Sequence, residues 1–164
     1  MKKIRINKKK GILFWITGLS GSGKTTFGKA IHKDIQKLYG PTLMISGDNI
    51  RKIFYYKGHT KEDRLKILKS YCRFAKFITN QNINLIFAVV GMFNEARKWN
   101  RKNISNYIEI YIKSNIKEII KLKKKRIYHK KNIQDIVGVD IKPEFPKKPN
   151  ITIINSFNKS KTKI

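Results

Sequence analysis

The sequence is poor in cysteine and acidic residues and has no long apolar run, and each shortage excludes a class of protein. Its single cysteine, Cys72, excludes an intramolecular disulfide and a cysteine-based metal cluster. No apolar run approaches the roughly 20 residues of a membrane-spanning helix. The apolar run after the basic residues 1–10 is too short for a signal peptide. We therefore expect a cytoplasmic protein with no membrane partner.

Acidic residues number only 10 against 38 lysines and arginines, which gives a net charge of +28. Such an excess can indicate a nucleic-acid binder. It can equally reflect an A/T-rich genome, because lysine outnumbers arginine and isoleucine and asparagine are abundant. A surface selected to bind phosphate would use more arginine, whose planar fork is bidentate. We expect no specific nucleic-acid partner, although the positive field should attract anionic substrates.

One stretch carries a complete phosphate-binding motif. Residues 18–25 read GLSGSGKT, a P-loop of the form GxxxxGK followed by Ser or Thr. The apolar run at 12–16 predicts a buried strand before it, and residues 26–38 predict a helix after it, the context that phosphate binding requires. The motif predicts that Lys24 reaches the β- and γ-phosphates of ATP and that the Thr25 hydroxyl contacts Mg²⁺.

Apolar runs alternate with helical patterns along the rest of the chain, which predicts an α/β fold. We expect a P-loop NTPase fold, with a parallel sheet of about five strands and helices on both faces, in one domain over residues 1–164. The domain would include a basic arm at 1–10 and a polar tail at 156–164. After the first strand and helix, the predicted strands are 42–45, 85–90, 107–112 and 151–154, and the predicted helices are 61–80, 95–103 and 115–131.

Two further features fall near the predicted active edge of the sheet. Asp48 follows the second strand, where α/β folds place chemistry, so it could organise Mg²⁺ or an acceptor hydroxyl; it could also cap a helix. Arg51 follows one helical turn later. Residues 121–149 combine a dense basic run with an irregular proline-containing loop, which favours a lid and acceptor-site loop but also fits a solvated surface.

Several blocks resemble adenylylsulfate kinases and occur in that family's order. Together they span about residues 11–155, so the chain is identified as a member of this family of P-loop kinases. The blocks are WITGLSGSGKTT at 15–26, GDNIR at 47–51, GHTKEDR at 58–64, KRIY at 125–128, and GVD at 138–140 followed by PEFP at 143–146.

The resemblance implies the reaction, in which ATP and adenosine 5′-phosphosulfate give ADP and 3′-phosphoadenosine 5′-phosphosulfate. It implies an anionic nucleotide substrate, ATP and Mg²⁺ as cofactors, and a homodimer, since the family is commonly dimeric. The implied ATP-binding residues are Gly18, Leu19, Ser20, Gly21, Ser22, Gly23, Lys24, Thr25 and Thr26. Lys24 and Asp48 would be catalytic, Thr25 and Asp48 would bind the metal, and the acceptor would contact Asp48, Arg51, His59, Arg64, Phe93 and Lys125.

Departures from the family pattern concern the acceptor side. His59 stands where the family has a stacking phenylalanine, Ile67 where it usually has asparagine, and Asn94 where it has an arginine. Loss of a hydrogen bond to a charged group costs about 1.5–3 kcal/mol. Such losses could mean that the acceptor is another nucleotide diphosphate analogue, such as cytidine diphosphoramidate. Because the motifs as a whole match adenylylsulfate kinases, adenylylsulfate is the first expected acceptor and the analogue is the alternative.

Two other classes of function compete with this reading. The charge would suit a polynucleotide kinase or a nucleic-acid-binding NTPase, but no basic patch interleaved with aromatic residues is visible. A degenerate, non-catalytic nucleotide binder is disfavoured because Lys24, Thr25 and Asp48 are all present.

Overall fold

A computed structural model describes residues 6–7, 9–122 and 135–157. Five parallel strands form one sheet in the order β2-β3-β1-β4-β5, so that β1 is central. This confirms the predicted sheet and P-loop fold. The strands are β1 (Leu13–Thr17), β2 (Thr42–Ser46), β3 (Asn84–Val89), β4 (Tyr107–Lys113) and β5 (Ile151–Ile154), and the helices are α1 (Lys24–Tyr39), α2 (Gly47–Ile53), α3 (Lys61–Asn80), α4 (Asn94–Asn103) and α5 (Ile116–Lys121).

The residues of β1 alternate between two hydrophobic clusters, as the two-residue repeat of a strand requires. Leu13 and Trp15 belong to a cluster with residues of α3 and α4. Phe14 and Ile16 belong to a second cluster, against which Phe27 and other α1 residues pack. Both faces of the sheet are therefore covered, which explains why β1 and β3 are continuous apolar runs.

The helix boundaries agree with the sequence in most places. Thr60 caps α3, where its side chain accepts the Asp63 N–H and the Asp63 carboxylate accepts the Thr60 N–H. Gly40 ends α1 with φ of 89°, a left-handed region that favours glycine.

Cys72 is buried in α3, and burial raises the pKa of its thiol to about 12, which keeps it protonated.

Two predicted details of the helices are wrong. The helical spacing of apolar residues in α1 predicts that Ala30 and Leu38 are buried, but Ala30 is exposed and Leu38 is 70% exposed. Ala30 lines a cleft beside the P-loop, which leaves it open to solvent. In addition, α5 ends at Lys121, earlier than the predicted end at residue 131, and residues 123–134 lie outside the described part of the chain.

Candidate active site

The P-loop connects β1 to α1 at the carboxyl edge of the sheet. The Ser22 N–H donates to the Leu19 carbonyl (3.1 Å), and the Asn155 side chain donates to the Ser22 carbonyl (3.0 Å). Gly23 has φ of 94°, and a Cβ there would lie 2.9 Å from Asn155 Nδ2. The loop is therefore held by a hydrogen bond within itself and by one from Asn155, which follows β5. A larger residue at position 23 would push Asn155 away.

Lys24 is the first residue of α1, and its side chain folds back along the P-loop. Its Nζ donates to the Leu19 carbonyl (2.7 Å), and the residue is only 7% exposed. The positive end of the α1 dipole adds to the charge of Lys24. The first turn of α1 contains no acidic residue that would offset this positive charge. The structure thus brings a lysine, backbone N–H groups and a helix amino terminus together, an arrangement suited to binding phosphate.

A cleft of about 760 Å³ opens above the P-loop. Each predicted P-loop contact from Ser20 to Thr26 lines it, whereas Gly18 and Leu19 are buried and do not line it. Asp48 also lines this cleft. Thr25 and Asp48 therefore face one cleft with a hydroxyl and a carboxylate, the hard oxygen ligands that Mg²⁺ prefers.

Asp48 is the second residue of α2, directly after β2. The helix cap is Ser46, whose Oγ accepts the Asn49 N–H (3.2 Å), so the alternative that Asp48 itself caps the helix is wrong. The short α2 helix instead holds the Asp48 carboxylate at the carboxyl edge of the sheet. This is the position at which open α/β folds bind ligands.

A second cavity, of about 180 Å³, adjoins the first and is called the acceptor cavity below. It brings together four of the residues predicted to contact the acceptor. Asp48 and three other residues line both cavities, so the two spaces meet at Asp48. The lining residues are Ser20, Gly47, Asp48, Arg51, His59, Arg64, Ile67, Leu68, Tyr71, Val89, Val90, Ile136 and Val137.

The two arginines of the acceptor cavity also shape its loops. Arg51 Nη1 donates to the carbonyls of Tyr56 (3.2 Å) and Gly58 (2.9 Å). Arg64 Nε donates to the His59 carbonyl (2.8 Å), and its Nη2 donates to the Asp135 carbonyl (2.8 Å). These bonds tie two loops to the cavity while leaving further guanidinium N–H groups for a ligand.

Electrostatics in the acceptor cavity favour an anion. Partial burial, followed by the charges of Arg51 and Arg64, lowers the pKa of His59 below its ordinary value. Burial and the charge of Arg51 likewise lower the pKa of Arg64. Positive groups therefore crowd one another here, and a bound anion would relieve their repulsion.

Phe93 and Asn94 lie outside the acceptor cavity. Phe93 is 1% exposed and packs in the core, and it lines neither cavity. Asn94 also lines neither cavity; its N–H donates to the Glu144 carboxylate and its side chain accepts from Arg97. Lys125 lies outside the described chain, together with the rest of residues 123–134 of the predicted lid and acceptor-site loop at 121–149.

Sequence reasoning missed several lining residues, notably Tyr71, Ile136, Asn155 and Phe157. The Tyr71 hydroxyl donates to the Gly47 carbonyl (3.3 Å), and burial raises its pKa to about 12, so it stays protonated. Tyr71 lies seven residues after Arg64 in one helix and therefore on the same face. That spacing could have identified it, whereas nothing in the sequence relates Asn155 to the P-loop.

Among the described ranges 6–7, 9–122 and 135–157, no group of three or more His, Cys, Asp or Glu residues could hold a metal ion by itself. Within the same ranges, no helix is long and apolar enough to cross a membrane. The cytoplasmic location and the homodimer stay predictions.

A parallel sheet with a P-loop at its carboxyl edge, an adjoining cavity and an acidic residue between the two define a P-loop phosphotransferase. The sequence model of the adenylylsulphate kinase family matches residues 10–154, and the chain belongs to this family. Its members are kinases that transfer a phosphoryl group to a hydroxyl acceptor.

Curated relatives differ in their acceptor. The chain is 37% identical to the cytidine diphosphoramidate kinase of Campylobacter jejuni, over 88% of this chain and 85% of that protein. It is 34% identical to the adenylyl-sulfate kinase of Clostridium acetobutylicum, over 89% and 76%. A solved adenylylsulfate kinase of Mycobacterium tuberculosis in complex with AMPPNP and APS shares the fold, with a TM-score of 0.80 at 22% identity over 88% of each chain.

Proposed function

We propose that this chain is an ATP-dependent kinase that phosphorylates a ribose hydroxyl of a nucleoside 5′-diphosphate analogue, with cytidine diphosphoramidate as the first candidate. The observation that carries the proposal is that Asp48 lines both the P-loop cleft and the acceptor cavity. A carboxylate at this junction can orient the attacking hydroxyl toward a terminal phosphate. Such positioning is the main requirement of phosphoryl transfer.

On the ATP side, the proposal gives the P-loop N–H groups and the α1 amino terminus the role of holding the phosphates. Lys24 would exchange its bond to the Leu19 carbonyl for one to a phosphate oxygen. Thr25 and Asp48 would hold Mg²⁺, which fits them because the ion uses one or two protein oxygens along with water and phosphate. When bound, the ion would neutralise charge on the phosphates during transfer.

On the acceptor side, Arg51, His59 and Arg64 would bind the acceptor's diphosphate analogue. These groups surround one cavity, and their mutual repulsion is the physical reason to expect an anion there. The proposal leaves Phe93 without a direct contact because it is 1% exposed. A contact from Lys125 stays a prediction.

Two observations favour a cytidine acceptor over the adenylylsulfate that the motifs alone suggest first. The relative at 37% identity is named for cytidine diphosphoramidate. In addition, Ile67 lines the acceptor cavity at 7% exposure and offers no hydrogen bond, where adenylylsulfate kinases usually carry asparagine. Adenosine 5′-phosphosulfate is the second candidate, because the family match and the relative at 34% identity both favour it.

The test is ADP release from Mg-ATP by the purified chain, with each acceptor supplied separately at matched concentrations. The proposal expects turnover that depends on an added acceptor and a higher kcat/KM with cytidine diphosphoramidate than with adenosine 5′-phosphosulfate. The reverse ranking would establish the second candidate. ADP release that ignores both acceptors would refute the proposed reaction.

The Asp48→Asn variant tests the role of the shared carboxylate. We expect kcat to fall by about 100-fold or more, since general-base and orienting groups contribute roughly 10²–10⁴-fold. ATP affinity, measured by calorimetry without Mg²⁺, should change little because the P-loop is intact. A kcat within a factor of about three of wild type would remove Asp48 from the chemistry.

A further inference from the structure

Residues 136–141 form a compact turn, called the acceptor turn below. The Gly138 N–H donates to the Ile141 carbonyl (2.9 Å), and the Val139 N–H donates to the Ile136 carbonyl (3.0 Å). The Asp140 carboxylate accepts the Ile136 N–H (2.8 Å). These bonds fix the shape of the turn within its own six residues.

The acceptor turn forms one wall of the acceptor cavity. Ile136 and Val137 line the cavity and are nearly fully buried. The Asp135 carbonyl, just before the turn, accepts from Arg64 Nη2 (2.8 Å). A displacement of the turn would therefore move an apolar wall and one anchor of a ligand-binding arginine together.

The same turn also touches the P-loop. A Cβ on Gly138 would lie 2.9 Å from Leu19 Cδ2 and 3.4 Å from Ile116 Cδ1. Leu19 is only 4% exposed, so its side chain has little space to swing aside. The Leu19 carbonyl accepts from Lys24 Nζ (2.7 Å). The contact between Gly138 and Leu19 thus spans the acceptor wall and the residue that holds the P-loop lysine.

We propose that Gly138 is a positioning residue, whose close approach to Leu19 sets the distance between the acceptor cavity and the P-loop. This inference rests on the proposed kinase function. An ordinary contact needs 3.4–4 Å where a Cβ would have 2.9 Å, so in Gly138→Ala either the Leu19 side chain or the acceptor turn must move by about 0.5–1 Å. A misplacement of about 1 Å can cost roughly 100-fold in rate.

The test compares Gly138→Ala with Gly40→Ala, because both glycines have positive φ. The φ of Gly40 is 89° and that of Gly138 is 98°, but nothing lies within 4 Å of a Cβ on Gly40. Both variants should therefore suffer strain from a positive φ, and only Gly138→Ala adds the close contact with Leu19. We expect kcat to fall about 10- to 100-fold in Gly138→Ala alone, with the Kd of ATP unchanged. Equal kcat in the two variants would overturn the inference.

Leu19→Ala removes the side-chain atoms that a Cβ at position 138 would meet first. In the Leu19→Ala background, the fold-reduction in kcat caused by Gly138→Ala should therefore be less than about a third of the fold-reduction that it causes in the wild-type chain. A cost that is the same in both backgrounds would assign the effect to backbone strain and refute the contact.

Amide hydrogen exchange separates this inference from the proposed function, because it is read without turnover. ATP should slow exchange at Gly138 and Val139 in the wild-type chain and in Gly40→Ala but not in Gly138→Ala. A wild-type chain that binds ATP yet turns over no acceptor would refute the function alone. A wild-type chain whose acceptor turn gains no protection on binding ATP would refute the inference.

Discussion

Ile67 offers the sharpest test of how the acceptor is chosen. It lies on α3, three residues after Arg64, and lines the acceptor cavity with only 7% of its surface exposed. The isoleucine side chain cannot form the hydrogen bond to an acceptor that an asparagine side chain could form at this position. We predict that Ile67→Asn shifts selectivity toward adenosine 5′-phosphosulfate and away from cytidine diphosphoramidate.

The size of the shift follows from one hydrogen bond. A bond to a charged group contributes about 1.5–3 kcal/mol, and each 1.36 kcal/mol is tenfold in kcat/KM. The ratio of the two kcat/KM values should therefore change by about 10- to 150-fold. Loss of the buried isoleucine destabilises the fold by about 1.5–3 kcal/mol. Domains have about 5–15 kcal/mol in total, so the variant should stay folded at 25 °C.

The assay supplies both acceptors in one reaction and measures the two phosphorylated products. Their ratio is independent of the fraction of active protein, so the loss of stability does not distort it. Ile67→Val is the matched control, since it shortens the side chain without adding a polar atom. A ratio that moves less than about threefold in Ile67→Asn, or equally in both variants, would refute the reasoning.

Two further predictions concern side chains around the same cavity. Tyr71→Phe removes the hydrogen bond to the Gly47 carbonyl, which is worth about 1 kcal/mol, so kcat should fall about fivefold. The control is Tyr56→Phe, because the Tyr56 ring packs beside Tyr71, and this variant should leave kcat unchanged. The second concerns His59, whose lowered pKa should rise when an anionic acceptor binds, so that binding takes up a proton. The acceptor KM should then decrease as the pH is lowered from about 8 to about 5. A His59→Gln variant that keeps this trend would show that His59 is not the group that takes up the proton.

Local patterns were sufficient to predict most of the fold. The apolar run before the P-loop, the cap at Thr60 and the stop at Gly40 each depend on neighbours within a few residues. The failure at Leu38 has a different origin. Helical periodicity indicates which face of α1 is apolar, but not how much of that face the rest of the chain covers, and Leu38 is left 70% exposed.

The candidate site divides in the same way. The P-loop is contiguous in sequence, so its motif predicts its geometry directly. Asn94 was interpreted as a lost acceptor contact, whereas it bonds with Arg97 and Glu144. Glu144 is 50 residues further along the chain, and no local pattern indicates such a contact. Arg97 is 1% exposed in a helix of polar composition, which periodicity alone does not anticipate.

The arginines of the acceptor cavity explain why the motifs predict the chemistry better than the acceptor. Arg51 donates to backbone carbonyls of residues 56 and 58, and Arg64 donates to those of His59 and Asp135. Their presence is thus required by the shape of the loops as well as by an anionic ligand, whichever nucleotide carries the charge. The apolar wall has no such constraint, since Ile67 and Val137 contribute no hydrogen bond to the loops. Selectivity can therefore change at the wall while every charged motif residue stays in place, which makes position 67 more informative about the acceptor than either arginine.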